Sequence, residues 1–171
     1  VMFVAELYGL IALDPLTAEV ELAGREIRNQ LEAAAIRERW CAVCLPLNWA
    51  LTLTVKLPDI PEADIADFLQ IEAERGFPYG PDELMLDHSR FRTVGGGQYA
   101  TLVGIPREHV TRLEAVLRAA QLRPVTFSLG LTALQRADAE SSDGTLALLP
   151  AESTVGMQIS CGGGVAMLRT L

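Results

Sequence analysis

The stretch QIEAERGFPYGPDELMLDH, residues 70–88, changes abruptly from a helical pattern to a strand pattern. Upstream, apolar side chains recur at the spacing of one helix face, which predicts a helix over about Pro61–Arg75. Gly76 suits a left-handed helix end, and Pro78 prevents continuation of the helix. The strand-like residues that follow therefore form a separate element, which the chain reaches through a turn that carries two aromatic residues.

The first third of the chain contains one long helical pattern and two strand patterns. Asp14 and Pro15 suit a helix start, because Asp can cap free N–H groups and Pro has none to lose there. The helical spacing continues to about Trp40. CAVCLPL reads as a buried strand, and WALTLTVKLP alternates as a half-buried strand does. The polar face of this second strand consists of Thr52, Thr54 and Lys56.

The remainder of the chain contains two predicted hairpins and two predicted helices. ELMLDHSRF and QYATLVGI flank the glycines at 95–97, and VGMQIS and VAMLRTL flank those at 162–164. Pro106 opens a helix, and GLTALQRADA forms a short one after the strand PVTFSL; a turn at 141–144 precedes the strand TLALLP. The predicted class is α/β: an α+β lobe with a small mixed or antiparallel sheet, followed by the start of a second sheet.

The apolar opening, VMFVAELYGLIAL, is 13 residues long and is interrupted by Glu6. A membrane span needs roughly 20 apolar residues, so we expect a core strand or strand pair here. The chain begins without Met and its last residues read as a strand, so we expect it to be part of a longer protein.

The formal net charge of −8 argues against two kinds of partner. Duplex nucleic acid requires clustered Lys and Arg to neutralise its phosphates, and an anionic lipid surface repels an acidic protein. We therefore predict no nucleic-acid binding and no direct insertion into a membrane.

Three cysteines fit no disulfide framework and indicate a reducing compartment. Cys41 and Cys44 form a CxxC, but a redox pair normally lies at a helix N-terminus, whereas these two lie within a predicted strand. Structural zinc would need two more ligands, for which Cys161 and the two scattered histidines are the candidates. Packing in the core is the favoured interpretation, and a thiol or zinc protein is the alternative.

The other candidate chemical groups also favour structural roles. His88 and His109 have no serine or cysteine elbow nearby, so we predict no catalytic residue. Neither glycine run has a phosphate-loop context. One acidic group could form a metal cluster but is better explained as a turn and a solvent face, because it lacks calcium-loop spacing. This group consists of Asp82, Glu83 and Asp87.

Four stretches together resemble the PilM family of type IV pilus assembly proteins, relatives of the actin-like protein FtsA and of the cytoplasmic part of GspL. They are WCAVCLPLNWALTLTVKLPDIP, DIADFLQIEAERGFPYGPDELMLDHSRF, VGIPREHVTRLEAVLRAAQLRPVTFSLGLTALQRA and LLPAESTVGMQISCGGGVAMLRTL. The resemblance implies a partial actin-like (ribonuclease H-like) fold with an inserted 1C-type subdomain of a small sheet plus two helices. It places part of subdomain 1A at 1–48, subdomain 1C at 49–128, and a return helix and the start of the second lobe at 129–171.

The resemblance also implies a partner. Members of the family bind a short N-terminal peptide of the membrane protein PilN in a groove between subdomains 1A and 1C. No motif marks that groove here, so Trp49, Phe77 and Tyr79 are candidates only. For the two turn aromatics, a purely structural role is the favoured interpretation: they staple the helix end to the sheet, as turn aromatics usually do. Lining a peptide-binding groove is the alternative for them.

The chain departs from the family at the nucleotide site. Actin-like phosphate turns read Asp-x-Gly, because Asp helps to hold the metal and Gly lets the backbone approach the phosphates. The corresponding positions would be Leu148 and Pro150, followed by Thr154, and nothing before the first helix reads Asp-x-Gly. Leucine cannot hold a metal and proline has no N–H to offer. We expect no bound cofactor, with ATP and Mg²⁺ relevant only to a longer chain.

The leading hypothesis is therefore a non-catalytic cytoplasmic scaffold at the inner face of the inner membrane. It would serve a type IV pilus or type II secretion-like assembly, bind a PilN-like peptide, and be compatible with a homo-oligomer. The alternative is a nucleotide-binding actin-like ATPase of which only a part is present.

Overall fold

The computed structural model describes residues 19–80, 82–129, 144–150 and 154–171. The helices are α1 (Val20–Ala33), α2 (Glu62–Gly76) and α3 (Arg107–Ala119), with a short 3₁₀ turn at Leu47–Trp49. The strands are β1 (Trp40–Leu45), β2 (Leu51–Lys56), β3 (Leu84–Arg92), β4 (Gln98–Pro106), β5 (Arg123–Leu129), β6 (Thr145–Pro150), β7 (Val155–Cys161) and β8 (Gly164–Thr170).

The described residues form three sheets: β1 with β5, the antiparallel sheet β2-β4-β3, and the antiparallel sheet β6-β7-β8. We call the second the small sheet and the third the hairpin sheet. Both predicted glycine hairpins are confirmed, as β3–β4 and β7–β8.

The chain divides into two compact units, one of 1–43 with 108–127 and one of 44–107 with 128–171. In the first, Ala23 of α1 is buried and Gly24 lies against Ala119 of α3. The Arg28 guanidinium donates to the Ala119 carbonyl. The helix α1, which the helical spacing in the sequence predicts, therefore packs against α3.

The helix α1 ends at Ala33, so the prediction that it continues to about Trp40 is wrong. Ala35 adopts a left-handed φ of 56°, and the Ile36 N–H donates to the Leu31 carbonyl, which closes the helix end. Alanine rarely takes this conformation, which glycine usually supplies at a helix end, so no residue type in the sequence signals the stop. The predicted helix start at 14–15, the apolar opening, and the predicted helix and turn in 130–143 lie outside the described residues.

The core of the second unit lies between α2 and the apolar face of the small sheet. Ile65, Leu69 and Ala73 of α2 pack against alternate residues of all three strands. At the start of α2, Glu62 pairs with Arg90 of β3; this hydrogen bond lowers the pKa of the Glu62 carboxyl below its ordinary value. The buried sheet residues are Val55, Leu84, Ala100 and Leu102.

The opposite face of the small sheet contacts β8 of the hairpin sheet. The turn between β7 and β8 approaches β3 so closely that the Arg92 N–H donates to the Gly162 carbonyl at 3.1 Å. A Cβ at Gly164 would lie 2.0 Å from the Arg90 carbonyl oxygen. Only glycine therefore fits at Gly164, because two backbones pass there without room for a side chain.

Replacing Gly164 by Ala is expected to lower the free energy of unfolding by about 2–4 kcal/mol, because the new methyl group would collide with backbone rather than with a flexible side chain. Urea denaturation followed by circular dichroism measures the loss. Gly95→Ala is the matched control, since a Cβ there meets nothing within 4 Å. Equal midpoints for G164A and G95A would contradict the close approach.

Candidate partner-binding site

The turn between α2 and β3 divides its two aromatic residues between the core and the surface. Phe77 caps α2, is 7% exposed and belongs to the core cluster; its ring lies beside Gly104 of β4. Tyr79 is 39% exposed. Phe77 thus staples the helix end to the sheet, and Tyr79 is the turn aromatic that a partner could reach.

Hydrogen bonds from two directions fix this turn. The Gly80 N–H donates to the Glu83 carboxylate at 2.6 Å, and the Glu83 N–H returns a bond to the Gly80 carbonyl at 3.0 Å. Arg107, at the start of α3, donates its guanidinium to the carbonyls of Asp82 and Leu84 at 3.1 and 3.2 Å. These bonds restrain Gly80 and residues 82–84, which reduces the conformational entropy that these residues would lose on binding.

Trp49 lies near the same end of the small sheet. It closes the 3₁₀ turn two residues before β2, and Leu51, the first residue of β2, pairs with Gly104, beside which the Phe77 ring lies. Trp49 is half-buried, and its turn packs against β8. The three groove residues predicted from the sequence, Trp49, Phe77 and Tyr79, therefore lie at one end of the sheet, but the Phe77 side chain is buried in the core.

Exposed aromatic and apolar side chains lie on both sides of this turn. Tyr79 and Met85 are each 39% exposed. The tyrosine ring is large and rigid, and such side chains serve as anchors in peptide and protein recognition, whereas methionine is flexible and adapts to the surface that it meets.

The three carboxylates Asp82, Glu83 and Asp87 do not converge on a common point. Glu83 bonds within its own turn, and the Asp87 carboxylate accepts the His88 N–H at 2.7 Å. All three are exposed. Among the described residues, no group of three His, Cys, Asp or Glu side chains is placed to hold a metal ion.

The CxxC cysteines lie in β1, where exposure alternates along the strand. Cys41 is half-buried and Cys44 is exposed, so the two side chains point to opposite faces. Desolvation by burial raises the pKa of the Cys41 thiol, which is the reverse of the shift that a redox-active cysteine requires. His88 is exposed on β3, and His109 lies on α3.

The positions aligned with a phosphate turn lie around the β6–β7 connection. Leu148 is 56% exposed within β6 and pairs with Met157, while Pro150 ends the strand opposite Val155. Thr154 is exposed just before β7. The connection itself lies outside the described residues, so degeneracy of the nucleotide site stays a prediction.

Sequence reasoning missed two structural features of the site region. Arg107 fixes a turn more than 20 residues earlier in the chain, and no local pattern signals such a contact. Thr101 is 0% exposed at the centre of the polar face of the small sheet. The alternation of apolar and polar residues identified the two faces of β2, whose Thr52, Thr54 and Lys56 are exposed, but it could not show that β8 covers the polar face at Thr101.

Within the described parts of the chain, no helix is both long and apolar enough to cross a membrane. No protein-family model matches the sequence, and neither does any curated protein.

The structure is similar to solved structures of two bacterial assembly proteins. One belongs to a PilM–PilN type IV pilus biogenesis complex, with 25% identity and a TM-score of 0.72 over 96% of this chain and 51% of the solved one. The other is the cytoplasmic domain of EpsL, an inner-membrane component of the type II secretion system of Vibrio cholerae. It has 16% identity and a TM-score of 0.60 over 85% of this chain and 56% of that domain.

These similarities confirm the resemblance inferred from sequence and the actin-like fold. The chain spans about half the length of the solved chains that it matches.

Phe77→Ala is expected to lower the free energy of unfolding by about 3–5 kcal/mol, because it leaves a cavity between α2 and the small sheet. Tyr79→Ala, at the surface of the same turn, should cost less than about 1 kcal/mol. Urea denaturation of both variants measures the difference. A similar loss in the two would show that Tyr79 is as much a core residue as Phe77.

Cys41 is expected to react more slowly with iodoacetamide at pH 8 than cysteine in an unfolded peptide of the same sequence, because its raised pKa leaves less thiolate. Peptide mapping by mass spectrometry follows each cysteine separately, and denatured protein provides the reference. Faster alkylation of Cys41 in the folded protein would support the thiol-chemistry alternative.

Proposed function

We propose that this chain is a non-catalytic scaffold of a type IV pilus or type II secretion-like assembly, which binds a short peptide of an inner-membrane partner. The observation that carries the proposal is the similarity over almost the whole chain to a protein solved in complex with PilN. The partner would be a PilN-like protein.

The geometry offers a physical basis for such binding. The end of the small sheet carries Tyr79 on a turn fixed by Arg107, with Trp49 nearby before β2. A short peptide can bind here through apolar anchors, and such recognition requires no reacting group. Phe77 contributes indirectly, because it packs in the core and thereby holds the helix end against the sheet.

The proposed location is the cytoplasmic face of the inner membrane. The similar EpsL domain is described as cytoplasmic and as part of an inner-membrane component. A net charge of −8 would be repelled by anionic lipid, so attachment would depend on the partner peptide rather than on the bilayer.

The second candidate is a nucleotide-binding actin-like ATPase, which the actin-like fold itself favours. Leu148 and Pro150 argue against an ATPase. At the positions that the resemblance aligns with a phosphate turn, they lack the carboxylate and the N–H that such a turn supplies. Titration with Mg·ATP up to millimolar concentration separates the two: saturable binding supports the ATPase, and its absence in the longest natural form of the chain removes it.

Isothermal titration calorimetry with the cytoplasmic N-terminal peptide of the bitopic membrane protein encoded beside this one tests the scaffold. We expect saturable micromolar binding. Tyr79→Ala should weaken it about fivefold or more, because an exposed aromatic anchor is lost while the fold is kept. Trp49→Ala should also weaken it, with circular dichroism checking that the variant is folded.

Ile71→Ala is the matched control, because Ile71 is also an exposed apolar residue but lies on α2 away from the turn. An equal effect of I71A and Y79A would remove the proposed site while keeping the function. No binding of the wild-type chain to the peptide would remove the scaffold function itself.

A further inference from the structure

The strand β8 crosses the polar face of the small sheet and is bonded to all three of its strands. On β3, the Ser89 hydroxyl accepts the Val165 N–H at 2.9 Å. On β4, the Thr101 hydroxyl donates to the Ala166 carbonyl at 3.2 Å, and on β2 the Thr52 hydroxyl donates to the Leu168 carbonyl at 3.4 Å. Side-chain hydroxyls of one sheet thus satisfy successive backbone groups of the other.

The crossing begins where two backbones meet directly. The Arg92 N–H of β3 donates to the Gly162 carbonyl, and Gly164 passes against the Arg90 carbonyl with no space for a Cβ. The β7–β8 pairing shifts register between Ile159 and Ser160, beside this contact. The hairpin sheet is therefore attached by its turn as well as along β8.

Thr101 lies at the centre of this attachment. It is fully buried, its hydroxyl donates to the Ala166 carbonyl, and Thr54 lies 3.4 Å away, within hydrogen-bonding distance. If the sheets separated without water entering, this hydroxyl and the Ala166 carbonyl would lose their partners, which is costly in a buried position. The contact therefore opposes partial sliding of one sheet over the other.

We infer that this row of hydroxyls and the glycine turn form a joint that makes the stability of the hairpin sheet follow that of the small sheet. Disturbance of the packing between α2 and the small sheet is transmitted to β8 through Ser89, Thr101 and Thr52. A ligand that stabilised the small sheet would in the same way slow the opening of β8. The inference concerns contacts within one compact unit and does not depend on the proposed partner.

Native-state hydrogen exchange, resolved by mass spectrometry, tests the joint with a perturbation on the far side of the sheet. Val55 is a core residue that faces α2, away from β8. V55A should raise exchange in β2, β4 and α2 by about tenfold or more, and a working joint raises it in β8 by a similar factor. Ile71→Ala, on the exposed side of α2, should change neither.

The same experiment in a Thr101→Val background tests whether the Thr101 hydroxyl transmits the effect from the small sheet to β8. Valine keeps the shape but removes the hydroxyl, so β8 exchange should respond to V55A at least fivefold less than in the wild-type background. Ser89→Ala is a second test at a half-buried edge position, should T101V not fold. Unchanged β8 exchange in V55A would overturn the joint. A response of β8 exchange to V55A that is as large in the T101V and S89A backgrounds as in the wild-type background would also overturn it.

Discussion

The packing of α2 on the apolar face of the small sheet is the interaction on which the second compact unit depends. Ile65, Leu69 and Ala73 cover the sheet, and Phe77 closes the end of the interface. Because the helix stops at Gly76, Phe77 can turn into the core while the next residues return to the sheet edge. The helix end therefore determines where the exposed aromatic residue stands.

The second face of the same sheet shows why a polar pattern is not evidence of exposure. Thr101 and Ser89 satisfy backbone groups of β8, so a face with hydroxyl side chains serves as an interface with another strand. Hydroxyls suit this task because they are short and can donate or accept. A leucine face would bury more apolar area but would leave the backbone groups of β8 unpaired.

Local signals account for what the sequence predicted well. Pro78 marked the end of α2, glycines marked both hairpins and alternation marked β2, because each of these depends on neighbouring residues. The left-handed conformation predicted for Gly76 is wrong, because Gly76 is the last helical residue and Phe77 follows it in an extended conformation. The end of α1 was missed because Ala35 takes a left-handed conformation, which the residue type alanine does not indicate. At the candidate site, the aromatic turn could be predicted from its glycine and prolines. The division of Phe77 and Tyr79 between core and surface and the role of Arg107 could not, because they depend on contacts between distant residues.

The same contrast bears on function. Catalysis requires particular residue types, such as a carboxylate or a glycine at one position, and the resemblance places Leu148 and Pro150 at two such positions. Binding of a peptide needs only a fixed, accessible apolar surface, for which many residues serve. The proposed peptide site would not depend on a nucleotide turn, because the turn beside Tyr79 has hydrogen bonds of its own, made by the Gly80 N–H and by Arg107.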